Sequence, residues 1–141
     1  YPTVRLWVAP EGTPEAGIPN TGTAVVADFD TGNPRHPRGF CAFDDSVRQE
    51  VGMAPRVHAR ASHLGADYWY TGVPGVVAVT DEQGRVRAHR VSMRFVPDWA
   101  SSPLVWANPA RRGFVGREIL FGLRLRVVLD SAARHTSVEF A

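Results

Sequence analysis

The chain has 141 residues, with sixteen Arg and no Lys against fourteen carboxylates, for a formal net charge of +2. That length fits a single domain, residues 1–141, able to bury a core without disulfides or metal. The charge is nearly balanced and the Arg are scattered, without a basic run or an aromatic ladder, which leaves a nucleic-acid groove unsupported, and no apolar stretch approaches the roughly 18 residues that span a bilayer.

Eleven Pro, thirteen Gly and repeated short Val-rich runs predict a turn-rich β protein. Residues 3–9 (TVRLWVA) read as a first strand, and the Pro- and Gly-punctuated residues 10–22 as a loop. Residues 23–29 (TAVVADF) form a second strand that delivers Asp30 to its end, and two prolines in residues 33–39 (NPRHPRG) stop the ladder. Residues 44–52 (DDSVRQEVG), acidic at the start and closed by Gly, predict a short helix. Residues 53–71 carry no decisive pattern. Residues 76–96 hold the clearest hairpin, VVAVT and RVRAHRVSMRFV joined by DEQG at 81–84. Residues 97–108 read as loop with a short strand at 104–107, residues 117–123 (REILFGL) as a second helix, and residues 124–129 and 136–140 as two last strands. A membrane span and a signal peptide are both absent from the residues as given, which start at Tyr1 without Met and so fit a processed product or a fragment. The compartment is left open.

The stretch 24–34 (AVVADFDTGNP) contains Asp30-Thr31-Gly32. Alone, Asp-x-Gly after an apolar run is an ordinary way to leave a sheet, because Asp bonds its own backbone and Gly accepts positive φ. Four segments in order say more. PTVRLWVAP (2–10), VVADFDTG (25–32), TGVPGVVAV (71–79) and FVGREIL (114–120) resemble the first strands, the Asp-Thr-Gly catalytic loop, the Gly-rich flap and the second Gly-Arg signature of the retroviral-type aspartic proteases, the retropepsin-like family. The resemblance covers most of the chain, and TSVEF (136–140) would be its terminal interface strand.

The resemblance implies an all-β, closed barrel-like subunit with one or two short helices. It also implies an endopeptidase that cuts extended peptides with apolar residues beside the bond, using neither cofactor nor metal. The chemistry requires two carboxylates sharing one proton. One takes a proton from water while its neutral neighbour donates to the scissile carbonyl. There is one Asp-Thr-Gly in the chain, the nearest second candidate being LDSA (129–132), which lacks the Gly, so the expectation is a symmetric homodimer with Asp30 at the two-fold axis. By resemblance, Thr31 bonds across the interface, Gly32 allows close backbone approach, and Arg117 braces the catalytic loop. Gly72, Val73, Pro74, Gly75 and Val76 form the flap that closes over peptide, its backbone pairing like an added strand.

Three features depart from the family pattern: Asn33-Pro34 after the motif, Asp28 two residues before Asp30, and Pro74 in the flap. Asp28 reads either as a third carboxylate near the dyad or as a solvent-facing residue, and the DEQG turn is an alternative moving hairpin. A catalytically inactive dimerisation or peptide-binding module of the same fold is the alternative function, and an unrelated barrel in which Asp30-Thr31-Gly32 is only a turn is the third. Asp28-x-Asp30 as a metal pair has no third ligand at readable spacing, and the five His form no zinc pattern. Asp44-Asp45 fit a helix start and Cys41 a buried thiol. Tyr68, Trp69 and Tyr70 suit either a platform for peptide side chains or core packing.

Overall fold

The computed structural model describes residues 3–30, 41–105 and 108–141. Strand β1 (Thr3–Pro10) alternates Val4, Leu6 and Val8 inward with Thr3 and Arg5 outward, the period-two pattern of a half-buried strand. It pairs antiparallel with β2 (Thr23–Asp30), whose Val25, Ala27 and Phe29 face the same interior. The connection, expected as plain loop, also folds into a 3-10 turn (Glu15–Gly17) and a one-turn helix α1 (Ile18–Thr21). Ile18 is fully buried there and proline sits in the first turn, where its missing N–H costs nothing.

After β3 (Cys41–Asp44), helix α2 (Asp45–Val51) begins and ends as the sequence predicts. Asp44 caps it by accepting from the Ser46 N–H at 3.2 Å, and Gly52 ends it at φ 79°, a conformation that suits a residue without Cβ. Strands β4 (Val57–His63), β5 (Ala66–Thr80) and β6 (Val86–Val96) form a meander, then come β7 (Gly113–Gly116) and helix α3 (Arg117–Leu123). Strands β8 (Leu125–Asp130) and β9 (His135–Phe140) make a separate two-stranded ribbon.

The strand order β1-β2-β7-β3-β6-β5 closes on itself because β5 also pairs with β1, giving a closed six-stranded barrel. Its interior is filled by Leu6, Val8, Phe29, Phe43, Val77, Met93, Phe95 and Val115, all fully buried. Burying each such side chain contributes roughly 1.5–3 kcal/mol. A second cluster packs on the outer face of the wall, where Trp99, Leu104 and Val105 cover Ala42, Val96 and Phe114 together with Tyr68. A 3-10 turn (Pro103–Val105) stands where a short strand was expected at 104–107, and residues 106–107 lie outside the described residues.

Strand β5 changes neighbours along its length. Its first half pairs with β4, from Ala66 opposite His63 to Gly72 opposite Val57, and from Gly75 onward the same edge pairs with β1. The β4–β5 hairpin therefore leaves the barrel, and its tip turns at Leu64 (φ 51°) and Gly65 (φ 79°). This overturns one expectation. Gly72, Val73, Pro74, Gly75 and Val76 are not a hairpin tip but the middle of β5, paired along β6 from Arg94 to Arg90, with Val73 and Val76 buried. A Cβ on Gly75 would lie 2.0 Å from the Met93 Cε and 3.0 Å from the Ala9 carbonyl oxygen, so this glycine serves close packing instead of motion.

Candidate active site

The end of β2 is positioned by β7. The two strands run parallel, with Ala27 opposite Gly113, Asp28 opposite Phe114 and Asp30 opposite Gly116. Gly113 has to be small, since a Cβ there would meet the Phe43 ring at 2.8 Å and the Ala27 Cβ at 3.0 Å. Gly116 leads directly into α3, so Arg117 opens a helix beside the strand end that carries Asp30. Asp30 and Arg117, far apart in sequence, thus come from neighbouring strand ends. For Asp30 the backbone alone is described, and Thr31 and Gly32 lie outside the described residues, as does Asn33-Pro34. Arg117 is half-buried, and its guanidinium has no ion-pair partner among the described residues.

Asp28 is neither of the two things the sequence suggested in their simple form. It is not solvent-facing: only 2% of it is exposed, on the outer face of the wall opposite the Phe29 side. The Arg111 Nε donates to its Oδ1 at 3.2 Å, while Oδ2 is buried without a hydrogen-bond partner among the described residues. Burial pushes the Asp28 carboxyl above the ordinary range, and the bond from Arg111 offsets that only in part. Arg111 is itself fixed, because Trp99 Nε1 donates to its carbonyl oxygen at 2.7 Å and the adjacent Arg112 Nη2 donates to Ser46 Oγ on α2 at 2.8 Å.

The tip of the β4–β5 hairpin folds towards this wall. His63 is buried and meets the Phe114 ring edge-on at 5.1 Å, and Phe114 is the residue opposite Asp28. Along the hairpin the three aromatics separate: Tyr68 is buried in the outer cluster with its hydroxyl accepting from Arg94 Nη1, Tyr70 is half-buried, and Trp69 is 54% exposed. The alternative moving hairpin, the turn at 81–84, is tied down. The Asp81 Oδ1 accepts from the backbone N–H of Gln83 at 3.1 Å and of Arg85 at 2.8 Å, and Arg85 Nε pairs with Oδ2.

Cys41 is buried against β7 and desolvation pushes its thiol far above the ordinary value, which makes it inert as a nucleophile. Asp44 and Asp45 start α2, Asp45 being held below the usual carboxylate range by hydrogen bonds from Arg48. Among the described residues no three His, Cys, Asp or Glu side chains gather as a metal site.

No family model and no curated protein matches the chain.

Sequence reasoning missed Arg111, His63 and Phe114. A buried acid demands a cation or a donor, so Asp28 could have prompted a search for a partner. Only the parallel β2–β7 pairing, a contact between distant segments, reveals that the partner is Arg111, two residues before that strand.

Proposed function

We propose that the chain is one subunit of a retropepsin-like aspartic endopeptidase, active as a homodimer in which Asp30 faces the partner subunit's Asp30. The observation that carries this reading is the β2–β7 register, which brings the backbone of Asp30 beside Gly116 and the helix start at Arg117 on one end of a closed barrel. An Asp-Thr-Gly that merely ended a strand has no need of that neighbour.

In this reading the two Asp30 carboxylates share one proton. Crowding two like charges separates their titrations, so that over an acidic interval one is ionised and one neutral. The ionised carboxylate draws a proton from water, the resulting nucleophile adds to the scissile carbonyl, and the neutral carboxyl donates to the carbonyl oxygen. As the C–N bond breaks, the carboxyl that took water's proton gives it to the departing amine, and the other carboxylate takes a proton back from the tetrahedral hydroxyl as the C=O re-forms, restoring the shared-proton dyad. Thr31 and Gly32 hold the two loops together, and Arg117 braces them from the start of α3. The part of a closing flap goes to the β4–β5 hairpin, because it projects from the barrel and its tip rests on Phe114 beside the β2 end. A peptide in extended conformation, with apolar residues beside the cut, would lie between that hairpin and the Asp30 loops. Burial biases the Asp28 carboxyl towards its neutral form, with Arg111 opposing.

The test is digestion of a peptide library between about pH 3 and 7, the range in which a carboxyl dyad is half-protonated, with products read by mass spectrometry. Cleavage by the wild type and none by Asp30→Asn is expected. A wild type that cuts nothing anywhere in that range contradicts the proposal.

A further inference from the structure

A groove of about 430 Å3 opens between the β4–β5 hairpin and the chain just after β6. One wall is His58, Asp67 and Trp69, and the other is Pro97, Asp98 and Ser101. The indole of Trp69 stacks on the His58 ring at 5.2 Å with 6° between the planes, yet more than half of the residue stays in solvent. A tryptophan held rigid by a neighbouring ring and left open costs hydration without serving the core, which already buries Tyr68 from the same strand.

The charges of the groove are unequal. The Asp67 carboxylate is committed, accepting from Arg60 and from the Ser62 hydroxyl. The Asp98 carboxylate has no ion-pair partner among the described residues. Trp69 and Asp98 line one concavity, and an aromatic ring with a carboxylate without an ion-pair partner among the described residues are two elements that recognise a cation, the ring through its quadrupole and the acid through charge-assisted hydrogen bonds. The Arg60 guanidinium, 5.8 Å from the indole centroid, already makes the weak form of that contact within the chain.

The backbone beside the groove indicates what carries the cation. Strand β4 ends the sheet order, so one of its edges is unpaired among the described strands, and His58 lies on it. An extended peptide can add there as a further strand, which directs every second side chain to one face.

We infer that this groove binds an arginine or lysine side chain of an extended peptide, stacked on Trp69 and paired with Asp98. The binding does not depend on catalysis. Its bearing on cleavage rests on the endopeptidase reading above, in which it would add a preference for a basic residue at one position away from the cut.

The experiment uses Asp30→Asn protein, so that no peptide is consumed, and blocked hexapeptides identical except for one residue: Arg, Lys or citrulline, the neutral isostere of Arg. The Trp69 indole N–H resonance, assigned with Trp69→Phe, reports occupancy at neutral pH. The Arg and Lys peptides are expected to shift that resonance, with the citrulline peptide binding about tenfold more weakly, as loss of a charge-assisted pair implies. Asp98→Asn should weaken the Arg peptide by a similar factor and leave citrulline unchanged, while Glu15→Gln, at an exposed carboxylate on the opposite connection, should do nothing. Equal affinity for Arg and citrulline, an unmoved Trp69 resonance, or an Asp98→Asn protein that binds as tightly as its parent overturns the inference. If the Arg peptide binds this way while the wild-type protein cleaves nothing, the catalytic reading fails and this site stands.

Discussion

Asp28 is the residue at which burial and charge oppose each other most directly. Its folded-state carboxyl is raised by desolvation above the ordinary value of 3.8, with Arg111 pulling the other way. From about that value up to the raised one, the native state keeps a proton that the unfolded chain has lost, so stability falls as pH rises through the interval. Asp45 has the opposite sign. Its depressed carboxyl stabilises the fold above the ordinary value, and that contribution is lost as pH falls below it. Thermal melts from pH 3 to 7 should therefore show wild type losing ground to Asp28→Asn as pH rises through the acidic range, and a difference that is flat with pH would refute the assignment. Asp44→Ala removes the cap of α2 and should cost about 1 kcal/mol in denaturant unfolding. The Asp44 cap was legible in the sequence because capping is local, set by a residue and the N–H groups two or three positions on. The Asp28–Arg111 pair was not, because strand pairing creates it and no local pattern encodes it.

At the scale of elements, β5 separates what periodicity reveals from what it hides. The hairpin at 76–96 was readable, since apolar runs flank a turn rich in Asp and Gly. The first half of β5 was not: one side is covered by the outer cluster and the other left in solvent, but the solvent side carries Trp69 between Tyr68 and Tyr70, so three aromatics in a row hide the alternation. The Gly-rich 72–76 segment looked mobile because glycine permits motion, whereas a Cβ on Gly75 would displace the methyl ends of Met93 and Met53 and press the Ala9 carbonyl oxygen at 3.0 Å. Gly75→Ala should accordingly cost about 1–3 kcal/mol by overpacking. Gly72→Ala, whose Cβ would meet only ordinary contacts beginning at 3.6 Å from the Val57 Cβ, should stay within about 0.5 kcal/mol of wild type. Equal effects of the two would count against the buried placement. The β8–β9 ribbon is too small to be stable alone. Arg87 fastens it, donating to the carbonyl oxygens of Arg124 and Ala141 with its guanidinium 4.2 Å from the Phe140 ring centroid. In Arg87→Ala, amide exchange should quicken across β8 and β9 while the barrel amides keep their protection, and uniform quickening would show that the ribbon is part of the barrel's cooperative unit.

The whole molecule is a closed barrel with a projecting hairpin at one edge and a ribbon hung beside it. Closure reduces the exposed strand edges that make open sheets sticky, and the unpaired edges among the described strands include that of β4 and that of β6 before Arg94, where β3 has not yet joined. The all-β class was legible from composition and turn residues, and the first two strands, α2 and α3 from local pattern. Closure was expected from the family resemblance alone and not from any local pattern, because it depends on β5 pairing with the distant β1. The proposed chemistry joins these scales: one Asp30 per subunit is half a dyad, so activity must belong to pairs of subunits. This is tested most directly by mixing wild type with Asp30→Asn at fixed total concentration under conditions of subunit exchange and measuring peptide cleavage at the acidic optimum. If each active site needs Asp30 from both subunits, activity follows the square of the wild-type fraction, and an equal mixture retains about a quarter of full activity. A linear dependence, with about half retained, would mean that each chain carries a complete site and would contradict the account.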